Sequence, residues 1–206
     1  MLCYTFYMNN NISSTSLWQG ENVRLRAMEP SDWETYFAWN QDDEMARRTY
    51  YIPLPQSQES VKRFAERQSL EPSETDNFRF VVENSQREVV GDITVNNCNP
   101  RNGTFSWGLN TKMEHRRKGY ASEALKLVMR YYFQELRYQK VTVHIYSFNE
   151  PSVKLHESLG FQLEGRIRRA VFTNDQYFDE LIYGLTKEEF AALGVGRPHF
   201  LSEDRT

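Results

Sequence analysis

Thr104-Phe105-Ser106-Trp107-Gly108-Leu109-Asn110, then His115-Arg116-Arg117-Lys118-Gly119-Tyr120-Ala121, then a run with Ala121, Ala124, Leu125, Val128, Tyr132 and Leu136 at three- and four-residue spacing, make up the stretch that decides the fold. It reads as an apolar strand, a basic glycine turn and an amphipathic helix in immediate succession, with no proline before Leu136. At a helix N-terminus the first N–H groups have no intrahelical partner and the macrodipole is positive, so an anion is stabilised there. Gly119 permits close backbone approach, Ala121 keeps the first turn slim, and Arg116, Arg117 and Lys118 add charge. A diphosphate suits such a turn; the plainer alternative is a solvated basic loop ahead of an ordinary helix.

A second pattern follows: Asn149-x-x-Ser152-x-x-Leu155-His156-Glu157-Ser158-Leu159-Gly160-Phe161, with Asn149 in an N-cap position and Glu150 and Pro151 opening the helix. Arg116-x-x-Gly119-x-Ala121 after a strand resembles the acyl-CoA pyrophosphate loop, Q/R-x-x-G-x-G/A, of the GNAT superfamily of N-acetyltransferases. The Asn149 segment resembles that superfamily's N-x-x-S/A-x-x-L-Y-E-x-L-G-F helix, and the two occur in the family's order. Val23-Arg24-Leu25-Arg26 followed by Asp32 and Trp39, and the tail from Glu164 to Tyr183, are similar to the Rim-type branch, which includes N-terminal acetyltransferases of ribosomal proteins. The resemblance covers roughly residues 20 to 190. It implies an α/β fold with a mixed, mostly antiparallel central sheet of about seven strands, flanked by helices and splayed between the fourth and fifth strands.

The 206 residues suffice for one domain with a substantial core. We expect a loose arm over residues 1–18, the domain over 19–195 and a tail over 196–206. With 39% apolar and 26% charged residues and a formal charge of −3, the chain is not a general nucleic-acid binder, and a mildly acidic surface suits amine substrates. Two cysteines far apart, Cys3 and Cys98, and four histidines without ligand spacing predict neither a disulfide framework nor a metal. The apolar start Met1 to Met8 lacks the basic region of a signal peptide, and nothing approaches a membrane span, so a cytoplasmic protein is expected. Many relatives are dimers; monomer and homodimer both stay open.

In order along the chain, Glu21 to Ala27 alternates as a strand, and Glu29 to Asp32 supplies a turn and cap for a helix carrying Trp33, Tyr36, Phe37 and Trp39. Aromatics at this spacing usually pack; the alternative is that one lines an acceptor groove. A short helix over Gln41 to Arg48, a break at Ile52 to Pro55, a helix over Ser57 to Leu70 and an acidic loop over Glu71 to Asp76 follow. Phe78 to Val82 and Val89 to Val95 form a hairpin, Lys140 to Tyr146 a strand, Phe161 to Phe172 and Gln176 to Leu185 a last hairpin, and Thr186 caps a terminal helix.

Acetyl transfer from a thioester to an amine needs a held acyl donor, a neutral amine, donors for the developing oxyanion and a proton for the departing thiolate. By resemblance, the strand segment Leu109, Asn110 and Thr111 contacts acetyl-CoA, with N–H groups near Leu109 facing the acetyl carbonyl and those near Thr111 the pantetheine arm. The turn Arg116, Arg117, Lys118, Gly119, Tyr120 and Ala121 takes the pyrophosphate, and Asn149 contacts the pantetheine or thiol end, its plainer role being a cap alone. Ser152 or His156, four apart on one helix face, is the expected acid; a structural histidine is the alternative. Neither of the family's glutamate-base positions, at Ser106 and Val171, keeps its carboxylate, so Glu83, Asp92 or His144 acting through water are candidates. An α-amine near pKa 8 costs only about 1.4 kcal/mol to deprotonate at pH 7, against roughly 4 to 5 for a side-chain amine. That favours an α-amino acceptor, a protein or peptide N-terminus or an amino-acid-like small molecule, attacked directly in a ternary complex without an acyl-enzyme. A polyamine or aminoglycoside acceptor is the alternative, with Asp175, Asp179 and Glu180 then attracting a polycation rather than solvating the hairpin. A non-catalytic CoA-binding module is a third.

Overall fold

The structure, a computed structural model, describes residues 16–49, 51–70 and 75–194. Seven strands form one sheet in the order β1-β2-β3-β4-β5-β7-β6: β1 (Val23–Arg26), β2 (Phe78–Asn84), β3 (Val89–Asn99), β4 (Thr104–Thr111), β5 (Lys140–Tyr146), β6 (Gln162–Thr173) and β7 (Gln176–Thr186). Every pairing is antiparallel except β4 with β5, which is parallel and limited to Thr104 opposite Lys140 and Phe105 opposite Val141. Beyond Phe105 the two strands part, as the resemblance implied.

Alternation sorts the strands' side chains between two layers. On one face Leu25, Phe80, Ile93, Phe105, Trp107 and Val143 pack against the helix α4 (Tyr120–Arg130), with Leu159 just after α5 (Glu150–Ser158) and Phe190 of α6 (Lys187–Ala192). On the other, Val81 meets Met28, Tyr36, Trp39, Met45, Val61 and Ala65, so that α1 (Trp33–Trp39), α2 (Asp43–Thr49) and α3 (Gln58–Leu70) cover the β2–β3 side. The α1 aromatics are core or core-packed. The start of α1 is fixed electrostatically: Arg26 forks onto both oxygens of the buried Asp32 at 2.7 Å and reaches Glu83 at 2.5 Å. Thr186 caps α6 through a reciprocal bond with Glu189, and a tight turn at Asn174 and Asp175, both with positive φ, joins β6 to β7.

Two readings need correction. The helix expected to run unbroken to Leu136 widens at Tyr131 into a π-helical turn over Tyr131–Glu135. The extra residue brings both Tyr132 and Phe133 into the core, stacked on Phe105 at 4.7 Å and edge-on to it at 5.6 Å. The arm placed over residues 1–18 also ends too late: the ring of Trp18 packs on Phe80 and Tyr131 with centroids 5.0 and 4.6 Å away, and its carbonyl accepts from Leu25 N–H. Residues 1–15 and 195–206, including Cys3, lie outside the described residues, as do 71–74 of the acidic loop. No helix among the described residues is long and apolar enough to cross a membrane.

Candidate active site

The opening between β4 and β5 is a place where backbone polar groups have no ladder partner on one side. Along a strand, a residue's N–H and C=O point to the same neighbour and alternate residues to opposite neighbours. Lys112 N–H donates to Val90 O on the β3 side, whereas Gly103 O accepts from Lys140 N–H on the β5 side. By that parity Trp107, Leu109 and Thr111 turn their N–H groups into the opening, while Gly108 and Asn110 turn theirs to β3. Thr111 O on the open side accepts from Arg116 Nε at 3.3 Å, which carries the chain into the basic turn.

In that turn Arg117 has φ +61° and Gly119 φ +83°, and Gly119 occupies the cap position of α4 without a side chain to satisfy the helix's first amides. A Cβ built on Gly119 would meet nothing within 4 Å, so the ground in front of these amides is open. Arg117 and Lys118 are exposed and Arg116 is half-buried. Burial, then the nearby charge of Arg48, lower the pKa of Arg116, with Glu44 and Asp42 opposing, so the charged side chains of α2 stand beside the turn. Tyr120 turns toward His115, ring centroids 6.2 Å apart, and packs on the core rather than facing outward. Ala121 is half-buried. The uncapped amides, open ground and two arginines fit a diphosphate group.

Across the opening, Asn149 caps α5 through its side-chain oxygen, 3.4 Å from Ser152 N, while its Nδ2 donates to Arg48 O at 2.9 Å. Ser152 is half-buried. His156 behaves differently from the expectation that it supplies a proton. It is 3% exposed, its Nε2 accepts from Trp107 Nε1 at 3.2 Å, and because an indole nitrogen only donates, the ring's proton must sit on Nδ1, 2.8 Å from Ser152 O. Both nitrogens are spent inside the fold, so His156 is a tie between α5 and β4 rather than an acid for a thiolate. Burial, only partly opposed by the bond to Ser152, lowers its pKa to about 4 from 6.5.

This tie gives stability a pH dependence. The unfolded chain takes up the proton first, so His156 stabilises the fold fully above about pH 6.5 and the contribution, up to about 3 kcal/mol, is lost as pH falls toward 4. Denaturant titrations at pH 7 and pH 4.5 should show this slope in the native protein, and His156→Phe should flatten it while costing about 1–3 kcal/mol at pH 7 through the stranded Trp107 N–H. An unchanged slope in the variant would refute the assignment.

The base candidates are all engaged. Glu83 belongs to Arg26, Asp92 is fully buried between Arg79 and Asn110 Nδ2 (2.7 Å), and His144 pairs with Glu180 at 3.2 Å. Asp179 is stitched to Arg169 N–H and Arg166 along β6. Asn110, expected at the cofactor, instead turns its side chain toward α2, where Oδ1 accepts from Thr49 Oγ1 at 2.6 Å. Burial pushes the Cys98 thiol up to about 11, which leaves it protonated and unsuited to carry an acyl group.

Comparison with known proteins bears on this arrangement. An acetyltransferase (GNAT) domain model matches residues 22–162. The chain belongs to the GNAT acetyltransferase family. It is 40% identical to a SPbeta prophage-derived uncharacterized N-acetyltransferase, YokL, of Bacillus subtilis over 86% of this chain and 97% of that one. It is 27% identical to a spermidine N(1)-acetyltransferase of Vibrio cholerae over 76% of this chain and 88% of the relative. With a ribosomal-protein-serine acetyltransferase of Escherichia coli it shares 30% identity over 47% of this chain and 54% of the relative. Among solved structures, the Vibrio cholerae spermidine N-acetyltransferase in complex with CoA and spermine superposes with a TM-score of 0.73 at 22% identity, covering 84% of this chain and 99% of that one, a likeness of fold.

Proposed function

We propose that this GNAT protein is an acetyl-CoA-dependent N-acetyltransferase in which a primary amine attacks the thioester directly. The observation that carries this reading is the opening at β4, with Leu109 and Thr111 N–H groups directed into it and the uncapped, open amides of α4 at its mouth. Acetyl-CoA supplies the activated acyl group. Leu109 N–H stabilises the oxyanion, Thr111 N–H holds the pantetheine arm, and the Arg116 to Ala121 turn holds the diphosphate. Ser152 protonates the thiolate, since His156 has no proton to spare. Ser152→Ala should lower the rate of thiol release on the order of 10²-fold with acetyl-CoA affinity retained; full activity would remove this role.

For the acceptor, we favour an α-amine of a peptide N-terminus or an amino-acid-like molecule. Of the groups considered as bases, Glu83 is held by Arg26, Asp92 by Arg79 and Asn110, and His144 by Glu180, and an α-amine asks least of a base. The partial similarity to a ribosomal-protein-serine acetyltransferase supports the same, Rim-type side. A polyamine acceptor is the second reading, favoured by the similarity to the spermidine acetyltransferase of Vibrio cholerae. Thiol release from acetyl-CoA at two pH values, across N-terminally free peptides, amino acids, spermidine and an aminoglycoside, separates them. Release with α-amines persisting at neutral pH is expected. Release with polyamines or aminoglycosides alone would reverse the order, and silence with acetyl-CoA still bound would point to a non-catalytic module.

A further inference from the structure

Three consecutive residues at the C-terminal end of α2 are each fastened to a different element around the opening. The Arg47 guanidinium donates to Thr173 Oγ1 at the end of β6 (3.1 Å), Arg48 O accepts from Asn149 Nδ2 at the cap of α5 (2.9 Å), and Thr49 Oγ1 directs its one proton to Asn110 Oδ1 on β4 (2.6 Å), with Met45 O of its own helix the farther acceptor at 3.0 Å. The last bond has a buried foundation. Asp92, with none of its surface exposed, accepts from Asn110 Nδ2 at 2.7 Å and from Arg79. A carboxylate that only accepts forces the Asn110 amide to present its NH2 group inward, so its oxygen must face outward to Thr49. The orientation of Asn110 is therefore set by the core and read out at α2. Beside it, a Cβ built on Gly108 would meet nothing within 4 Å, so there is open room over β4 next to this turn.

We propose that Asn110 and Thr49 are positioning residues that latch the C-terminal turn of α2 to β4 at the height at which an amine meets the thioester. The inference rests on the acetyltransferase reading above. Without the latch, α2 would stay tied at Arg47 and Arg48 but swing away from β4. The turn would then lose its register with Leu109 and carry Arg48 and Glu44 away from Arg116, while the first amides of α4 keep their own backbone geometry.

Thr49 is exposed, so Thr49→Val removes the donor with little risk to folding, and Thr49→Ser retains it. With spermidine and glycinamide as probe amines, Thr49→Val should lower kcat/KM about tenfold at unchanged Tm, with acetyl-CoA affinity falling by no more than about fivefold and Thr49→Ser restoring both. Equal rates in the valine and native proteins, or equal loss in both variants, would overturn the proposal. Hydrogen exchange of residues 43–49 with acetyl-CoA alone requires no acceptor: protection of about fivefold is expected in the native and Thr49→Ser proteins and should vanish in Thr49→Val. Absence of protection in the native protein would refute the latch even where thiol release succeeds. If neither amine is acetylated, the acceptor reading fails while the exchange result still decides the latch.

Discussion

Replacing Arg79 by Met should cost about 3–5 kcal/mol of stability, a large share of the 5–15 kcal/mol that holds a domain of this kind together. Asp92 is fully buried, and Arg79 is its charge partner, with Asn110 supplying a neutral bond. Removing the guanidinium leaves a carboxylate in low dielectric beneath α1, where the rings of Tyr36 and Phe64 lie 5.9 and 5.5 Å from the Arg79 guanidinium carbon. Desolvation of an unpaired ion outweighs the modest net worth of the pair itself, so the double change Arg79→Met with Asp92→Leu should recover much of the loss. Urea unfolding midpoints of the native protein and the two variants check this; a single variant no weaker than the double would show that the pair is dispensable. The consequence for function is specific. If Asp92 orients Asn110, the double variant should regain stability without regaining the α2 latch.

Gly119→Val should weaken acetyl-CoA binding at least about 100-fold, equivalent to about 2.7 kcal/mol. Two effects combine. A β-branched residue at φ +83° is strained by roughly 1–2 kcal/mol, and its side chain occupies the ground in front of the first amides of α4. Nothing in the protein itself lies within 4 Å of the added Cβ, so a loss of affinity without unfolding reports on the ligand's position rather than on a clash inside the chain. Titration calorimetry with acetyl-CoA measures it. Gly119→Ala, which has less bulk in the same backbone geometry, should fall between the two.

The strands and helices were largely legible because each has a strong local signal: alternation in β1 and β5, caps at Asn149 and Thr186, and a two-residue turn between β6 and β7. The parting of β4 and β5 came from resemblance, since no local pattern encodes where two strands stop pairing. Spacing placed His156 on a face with Leu155 and Leu159, but a helix face that packs into the core and one that lines a cleft have the same periodicity. Only the Trp107 indole, brought in from β4, decides between them. Asn110 shows a similar limit. Its direction depends on strand parity and on Asp92 and Thr49, one from β3 and one from α2, and the row formed by Arg79, Asp92, Asn110 and Thr49 spans four elements. The π-helical turn at Tyr131 was hidden because it breaks the very period by which a helix is recognised.

A structure of the protein with acetyl-CoA bound is the decisive measurement. The diphosphate should lie on the N–H groups that begin α4 at Gly119, with the thioester carbonyl facing Leu109 N–H between β4 and β5. Acetyl-CoA seated elsewhere would contradict it, for instance in the cavity of about 360 Å³ between Trp18, Phe80 and Tyr131 near the far end of α4.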